Sequence, residues 1–358
     1  MKTSSIPVLT YHRVAAQEKI DPQRFEIHLR TLAASGLRSL LPGELSKAHG
    51  GYVLTFDDAF ADLWTTLFPR LLAYGIKAVV FVIPARTGDG PPRPQGRPAF
   101  SGTANQAHQA AAESNAPHSA FLRWSELAAM EASGLVQAQS HAYQHAMGWI
   151  SDTIQRFHLP PAAPGHWSLG QCTHGDVRAG IPLYLRGSAL AHRLYHDDPR
   201  LRDHLAAWLT QQGDAGRPAS VAAVSDLRKA LFEQVAAFKR SQVDGGRWET
   251  EKERRQRTLA EMTRARAALV EHLGGRRDEL CLPWGQYDSV TLDCAREAGI
   301  QRIYGLERGS NPTGRLGWII NRFEPRPRGA LWLKSRLWIY RSRIRSAIYC
   351  QLSRRRKP

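Results

Sequence analysis

Short apolar runs alternate along this chain with longer segments of helical spacing. Val8–Tyr11, Tyr52–Phe56, Lys77–Ile83 and Val136–Ser140 read as buried strands, and so do Glu279–Leu282, Arg302–Leu306 and Trp318–Phe323. Between them, Arg24–Ala34, Leu63–Tyr74 (stopping at Gly75), Trp124 to near Gly134, the charged Thr250–Leu273 and Ser289–Ala298 (stopping at Gly299) carry apolar residues at three- and four-residue spacing, as amphipathic helices do. Ser125 is placed to cap the helix that opens at Trp124. The Gly/Pro-rich stretch Gly88–Pro98 reads as a loop that continues as a polar, Ala-rich segment to about Ser119.

Strand–helix alternation predicts an α/β fold with a parallel sheet. The rhythm fails between residues 151 and 249, which read as an insertion, helical around Leu201–Thr210 and Val221–Phe238. The expected organisation is therefore a first part of the sheet domain over 1–150, the insertion over 151–249, a second part over 250–329 and a basic tail over 330–358. In that tail Leu333, Leu337, Tyr340, Ile344 and Ile348 share one face of a single expected helix, Leu331–Tyr349, flanked by Lys and Arg and followed by Arg354–Lys357.

Composition sharpens this picture in two ways. The 358 residues hold 49 Lys and Arg against 32 Asp and Glu, a net charge of +17, so a polyanionic partner is expected. With its interleaved Trp and Tyr, the tail fits the surface of an anionic membrane better than nucleic acid, for which the chain carries no recognisable binding motif. Cys172, Cys281, Cys294 and Cys350 are widely spaced and read as free thiols rather than a disulfide framework. With no apolar leader and no run long enough to span a bilayer, the expectation is a cytoplasmic protein, peripheral on the inner face of the membrane.

The chemistry gathers where strands end. Thr55-Phe56-Asp57-Asp58 closes one strand, and Ser140-His141-Ala142-Tyr143-Gln144-His145 closes another. Parallel sheets bind ligands at the carboxyl ends of their strands. Asp58, His141 and His145 make a three-ligand set for a divalent cation with an open position, and Asp57 beside them is free to act as base. That combination points to hydrolysis of an amide or ester. His12 also follows a strand.

Together with Tyr11-His12-Arg13-Val14, Phe121-Leu122-Arg123-Trp124 and Pro283-Trp284-Gly285, these motifs resemble the polysaccharide deacetylase family, the NodB-homology group or carbohydrate esterase family 4, over residues 6–150 and 250–325. The resemblance implies a distorted (β/α) barrel and metal-dependent removal of an N-acetyl group from a sugar. It implies Asp57 as base, Asp58, His141 and His145 as ligands of a divalent metal, usually zinc, and Pro283 and Trp284 as one wall of the substrate groove. The chain departs from the family pattern at three points. Ala59 stands where a Gly usually ends the first motif, Cys281 where an Arg often orients the base, and no His follows His272 to serve as general acid.

His12 is therefore the candidate acid. Arg322 is a candidate to orient the base or bind substrate, and Arg178 and Arg186 are candidates to clamp a phosphate. A lipid-linked or cell-envelope glycan precursor at the membrane would reconcile a sugar substrate with the basic tail. Two other functions stay open: a deacetylase-like module that binds glycan or lipid without turnover, and a deformylase or amidohydrolase acting on another acylamide.

Overall fold

The computed structural model describes residues 4–114, 117–159, 167–213, 221–241 and 245–354. In chain order the first elements are β1 (Val8–Tyr11), α1 (Pro22–Ala33), β2 (Val53–Phe56), α2 (Phe68–Tyr74), β3 (Ala78–Val82), α3 (Ala104–Ser114), α4 (Trp124–Ala132) and β4 (Val136–Ser140). A run of short strands and helices follows: β5 (Met147–Trp149), β6 (Arg156–Phe157), α5 (Leu169–Cys172), β7 (Pro182–Leu183), β8 (Arg186–Ser188), β9 (Tyr195–His196), α6 (Pro199–Gln211), α7 (Val221–Ser241) and β10 (Arg247–Trp248). The chain then runs through α8 (Glu251–Leu273), β11 (Glu279–Cys281), α9 (Ser289–Glu297), β12 (Arg302–Tyr304), β13 (Ile319–Ile320), α10 (Ala330–Tyr340) and α11 (Arg343–Arg354).

Seven parallel strands form one sheet in the order β1-β2-β3-β4-β11-β12-β13. The chain beyond β13 returns to β1, where Thr10 donates its N–H to the Phe323 carbonyl and Phe323 donates to that of Val8, both at 3.0 Å. The sheet is thereby nearly closed, a distorted (β/α) barrel. Strand period two sorts the side chains. Leu9, Tyr11, Leu54, Phe56, Val80 and Val82 point outward into a large core beneath α1, α2, α4 and α10, while Val8, Val53, Val79, Phe81, Cys281, Tyr304 and Ile320 fill the interior. Parallel strands buried on both faces read as continuous apolar runs, which is why they were visible in the sequence.

The segment after β4 builds antiparallel structure, in the order β10-β9-β5-β8 with a separate β6-β7 pair. Beside it α6 and α7 bury Leu201, Leu205, Leu209, Leu231 and Phe238 against Phe157 and Leu159.

Three local expectations are corrected. Residues 104–114 of the supposed polar loop are helical, with Thr103 and Gln106 bonding reciprocally through side chain and backbone at its start. Ser125 does not cap α4: Glu126 accepts from the Arg123 N–H at 2.9 Å, and the Ser125 hydroxyl donates to Gly90 instead. The tail is two helices rather than one, because the chain breaks at Arg341–Ser342, where Ser5 donates its N–H to the Arg341 carbonyl at 2.9 Å. Leu333, Leu337 and Tyr340 pack into the main core, whereas Ile344 and Ile348 on α11 are exposed. Arg355, Arg356 and Lys357 lie outside the described residues.

Candidate active site

At the carboxyl end of the barrel, His12 follows β1, Asp57 and Asp58 follow β2, Arg86 follows β3, His141 follows β4, Pro283 and Trp284 follow β11, and Arg322 follows β13. The barrel interior beneath them turns polar in its last layer, where the hydroxyls of Thr10 and Thr55 lie 2.9 Å apart. Above that layer His12, Asp57, Asp58, His108, His141, His145, Trp167 and Trp284 line a cavity of about 320 Å³.

Asp57 is buried and gripped by Arg322. Nη1 donates to Oδ1 at 2.7 Å and Nη2 to Oδ2 at 2.9 Å, a bidentate fork. Arg322 is itself fixed by Thr55 Oγ1 at 3.2 Å and by the Gly305 carbonyl at 2.8 Å, and its side chain has no exposed surface. Burial alone would push the Asp57 carboxyl up. The Arg322 guanidinium, followed by His141 and His12, outweighs it and holds Asp57 below the ordinary range, so it is a carboxylate at neutral pH. The Cys281 thiol, pushed up by burial, lies 3.5 Å from Asp57 Oδ2 and 3.0 Å from Arg322 Nη2.

Asp58 Oδ1 faces His141 Nε2 at 3.5 Å and His145 Nε2 at 3.6 Å. These separations are long for hydrogen bonds. They are close to the spacing of about 3.4 Å between ligands placed tetrahedrally at ~2.0–2.1 Å around one ion. Asp58 Oδ1 is buried with no hydrogen bond of its own, and the three ligand atoms lie within 4.8 Å of one another. His141 Nδ1 bonds the Cys281 carbonyl at 2.9 Å, which turns Nε2 toward the cluster. The donor set and its orphaned oxygen fit a divalent cation. Burial, then the neighbouring His141, holds His145 well below the ordinary imidazole value and therefore neutral, as a ligand must be. For His141, burial is outweighed and the direction is upward; the Cys281 thiol is itself uncharged, so Asp58 and Asp57 supply that pull.

The backbone here is bent in an unusual way. Among the described residues six non-glycine positions have positive φ, and five belong to this region: Asp58 (70°), Ala59 (57°), Ala142 (62°), His145 (54°) and Trp284 (56°). Left-handed conformations in such residues cost free energy and cluster where a side chain must be aimed.

The structure gathers most of the residues expected to act here. His12 lies 3.9 Å from Asp57 Oδ2, with 41% of its side chain exposed to the cavity side. Trp284 stands against His145, with ring centroids 4.1 Å apart, and Pro283 is buried beneath it. Arg322 grips Asp57 and its side chain is fully buried, so it presents nothing to a substrate, against its reading as a substrate-binding residue. The phosphate clamp does not form: Arg178 is paired with Asp176 and Asp203 at 2.7 Å each, and Arg186 lines a separate recess with Trp149 and Tyr184. Two residues went unnoticed in the sequence. His108 on α3 reaches Asp58, and Trp167 stacks on His108 with centroids 4.8 Å apart. The Thr-x-x-Gln signature at Thr103–Gln106 would have revealed the helix that carries His108.

This geometry defines a hydrolase-like site at the mouth of a parallel barrel. Residues 47–156 match the family model "Polysaccharide deacetylase". A curated relative, "Putative polysaccharide deacetylase YxkH" of Bacillus subtilis, is 29% identical over 92 residues, 23% of this chain and 33% of the relative, so the match spans about a third of that protein. Among solved structures, the de-N-acetylase from Aggregatibacter actinomycetemcomitans aligns with a TM-score of 0.55 and 17% identity over 93% of this chain and 99% of that one. The BpsB deacetylase domain from Bordetella bronchiseptica aligns at 0.52 and 18% over 90% and 96%, and IcaB from Ammonifex degensii at 0.52 and 18% over 93% and 97%. At these identities the structural likeness is one of fold. Residues 47–156, with the motifs they hold, are thus similar to the polysaccharide deacetylase family, and the fold of the chain as a whole is that of the solved deacetylases.

Proposed function

We propose that this protein is a metal-dependent carbohydrate de-N-acetylase that hydrolyses the N-acetyl amide of a sugar, releasing acetate and leaving an amine. The observation that carries this reading is the adjacency of a clamped, ionised Asp57 to the Asp58–His141–His145 cluster on one cavity wall. Asp58, His141 and His145 would hold the cation, with zinc the first ion to test. When bound, the cation would supply Lewis acidity toward the acetyl carbonyl and acidify water. Asp57 takes a proton from the attacking water, and Arg322 keeps it ionised and aimed. His12, close to Asp57 yet half exposed, supplies a proton to the departing nitrogen. Trp284 and Trp167 form apolar walls for a sugar ring.

We extend the proposal to the substrate's setting: a lipid-linked or cell-envelope glycan precursor, met at the cytoplasmic face of an anionic membrane. The support is on α10 and α11, where Leu331, Trp338, Ile344, Ile348 and Leu352 are exposed beside Arg341 and Arg343. Among the described residues no helix is long and apolar enough to cross a membrane. Because Leu333, Leu337 and Tyr340 belong to the core, deleting the tail would disrupt the barrel. Ile344→Glu with Ile348→Glu is the cleaner probe. Sedimentation with phosphatidylglycerol vesicles should fall while turnover of a soluble substrate is unchanged; equal sedimentation would remove the tail as the anchor.

The activity itself is tested with the full chain. Metal content, and acetate release from N-acetylated sugars, should both be lost with chelator, and acetate release alone with Asp57→Asn. A folded protein that binds the sugar without releasing acetate would be a binding module. Faster release of formate from N-formyl analogues would identify a deformylase.

A further inference from the structure

The Asp58 carboxylate has two oxygens, and the cluster uses one. Oδ1 faces His141 and His145. Oδ2 faces His108 Nε2 at 3.3 Å, nearer than either of those histidines comes to Oδ1. His108 comes from α3, in the long connection between β3 and α4, and it is buried like Asp58. Its ring is wedged between Trp167, Phe60 and Phe121, with centroids at 4.8, 5.3 and 5.4 Å. It does not belong to the group of mutually adjacent ligand atoms.

The other nitrogen fixes its protonation. Arg86 Nη1 points at His108 Nδ1. An arginine offers only donors, so Nδ1 must accept and the single ring proton of a neutral imidazole sits on Nε2, facing Asp58. Arg86 is buried over the faces of Phe121 and Trp167. Three buried side chains thus stand in series, with the donor direction running from Arg86 through His108 to Asp58 Oδ2.

We propose that His108 is a positioning residue for the cation site: held in one tautomer by Arg86, it donates to Asp58 Oδ2 and so restricts Asp58 to offering Oδ1 alone to the ion. This rests on the reading of Asp58, His141 and His145 as ligands. It also gives α3 a role, since α3 then carries part of the support for the site rather than only covering it. An Asp carboxylate can turn about its Cα–Cβ and Cβ–Cγ bonds, and the His108 N–H restricts this one by holding its second oxygen. Outer partners of this kind are worth about 10–100-fold in metal affinity.

The test is competition between the full-length protein and a chromophoric chelator for Zn(II), with the Co(II) absorption spectrum as a second readout, on wild type, Asp58→Ala, His108→Leu, His108→Gln and Arg86→Met. We expect Asp58→Ala to abolish binding and His108→Leu to weaken it by about 10–100-fold with an altered Co(II) spectrum. His108→Gln, which keeps an N–H donor at similar reach, should recover most of the affinity, and Arg86→Met, which leaves the sequence of α3 unchanged, should weaken binding. Wild-type affinity and spectrum in both His108→Leu and Arg86→Met overturn this inference while leaving the ligand assignment standing. A wild type that takes up neither ion overturns both. Metal-free unfolding curves identify a His108 variant that fails to fold, and in that case Arg86→Met decides alone.

Discussion

The two halves of this site are built differently. One half stands directly on strand ends: Asp57, Asp58 and His141, with Arg322 two residues past β13. The other half comes from the connections: His145 and Trp284 on left-handed backbone, His108 on α3, and Trp167 just ahead of α5. The strand half is locked by short, charged hydrogen bonds within the barrel, above all the Arg322 fork on Asp57. The connection half is held by ring packing, with His145, Trp284, Trp167 and His108 in mutual contact. On the proposed function, the strand half would carry the proton chemistry, and the tryptophans of the connection half would shape what reaches it, while His145 and His108 would serve the cation site from that side. If that division is right, substitutions of Asp57 and Arg322 should act on kcat and pH dependence, and substitutions of Trp284 and Trp167 on KM.

The largest effect expected is at Asp57. Asp57→Asn removes the base and should lower kcat for acetate release by about 10²–10⁴-fold. Metal content should stay at the wild-type level, because Asp57 is the clamped partner of Arg322 rather than a member of the Asp58 cluster. Loss of metal along with activity would merge the two aspartates into one role and break the comparison.

Arg322→Met comes next. Both members of the pair are buried, so removing the guanidinium strands a carboxylate and should cost about 3–5 kcal/mol in urea unfolding. The pH dependence also has a sign. In wild type Asp57 has a native pKa below its unfolded value, so its contribution to stability is present above the unfolded value and is lost only as pH falls through the native one. Without Arg322 burial dominates and drives the carboxyl up. The acid limb of kcat/KM should then move to higher pH, and a limb that stays in place would mean that Arg322 does not tune the base.

The same division bears on what was legible in the sequence, although His145 and Trp284 of the connection half were also read, from the motifs that hold them. Asp57, Asp58 and His141 could be read because each ends an apolar run whose period is that of a buried strand. Arg322 could be placed near the site for the same reason, although its fork on Asp57, beside Cys281, is a tertiary fact that spacing does not contain. His108 sits in Ala104–Ser114, where Ala107, His108 and Ala111 face inward yet contribute too little hydrophobicity to stand out from a loop. The tail misled in the opposite direction. Its three- and four-residue apolar spacing runs unbroken from Leu333 to Ile348, and only pairing with the N-terminal segment at Ser5 and Arg341 divides it into a buried and an exposed helix. Arg178 and Arg186 looked like a clamp because they are close in sequence, but Arg178 is already satisfied by two aspartates.

For the connection half the expected effect is smaller. Trp284→Ala removes one wall and should raise KM about tenfold with a lesser change in kcat, the signature of lost binding common to ground and transition states. A fall in kcat with KM unchanged would mean that Trp284 acts on the cation site, through the His145 ring it touches, rather than as a wall.

The smallest effect probes the hinge between the halves. Ala59 stands where the family usually has glycine, at φ 57° and buried. A left-handed alanine costs about 1–2 kcal/mol, which Ala59→Gly would recover. Against that, glycine loses about 0.5–1 kcal/mol more chain entropy on folding, and the missing methyl removes ~0.8 kcal/mol of burial. These terms nearly cancel, so Ala59→Gly should fall within about 1 kcal/mol of wild type. Ala138→Gly on β4 is the control, since it loses the same methyl and the same entropy with no strain to relieve, and it should cost about 1.3–1.8 kcal/mol. Equal destabilisation by the two would mean that the turn after Asp58 is unstrained with alanine in it. A clear difference would show that the chain carries strain at the residue that follows its candidate metal-binding carboxylate.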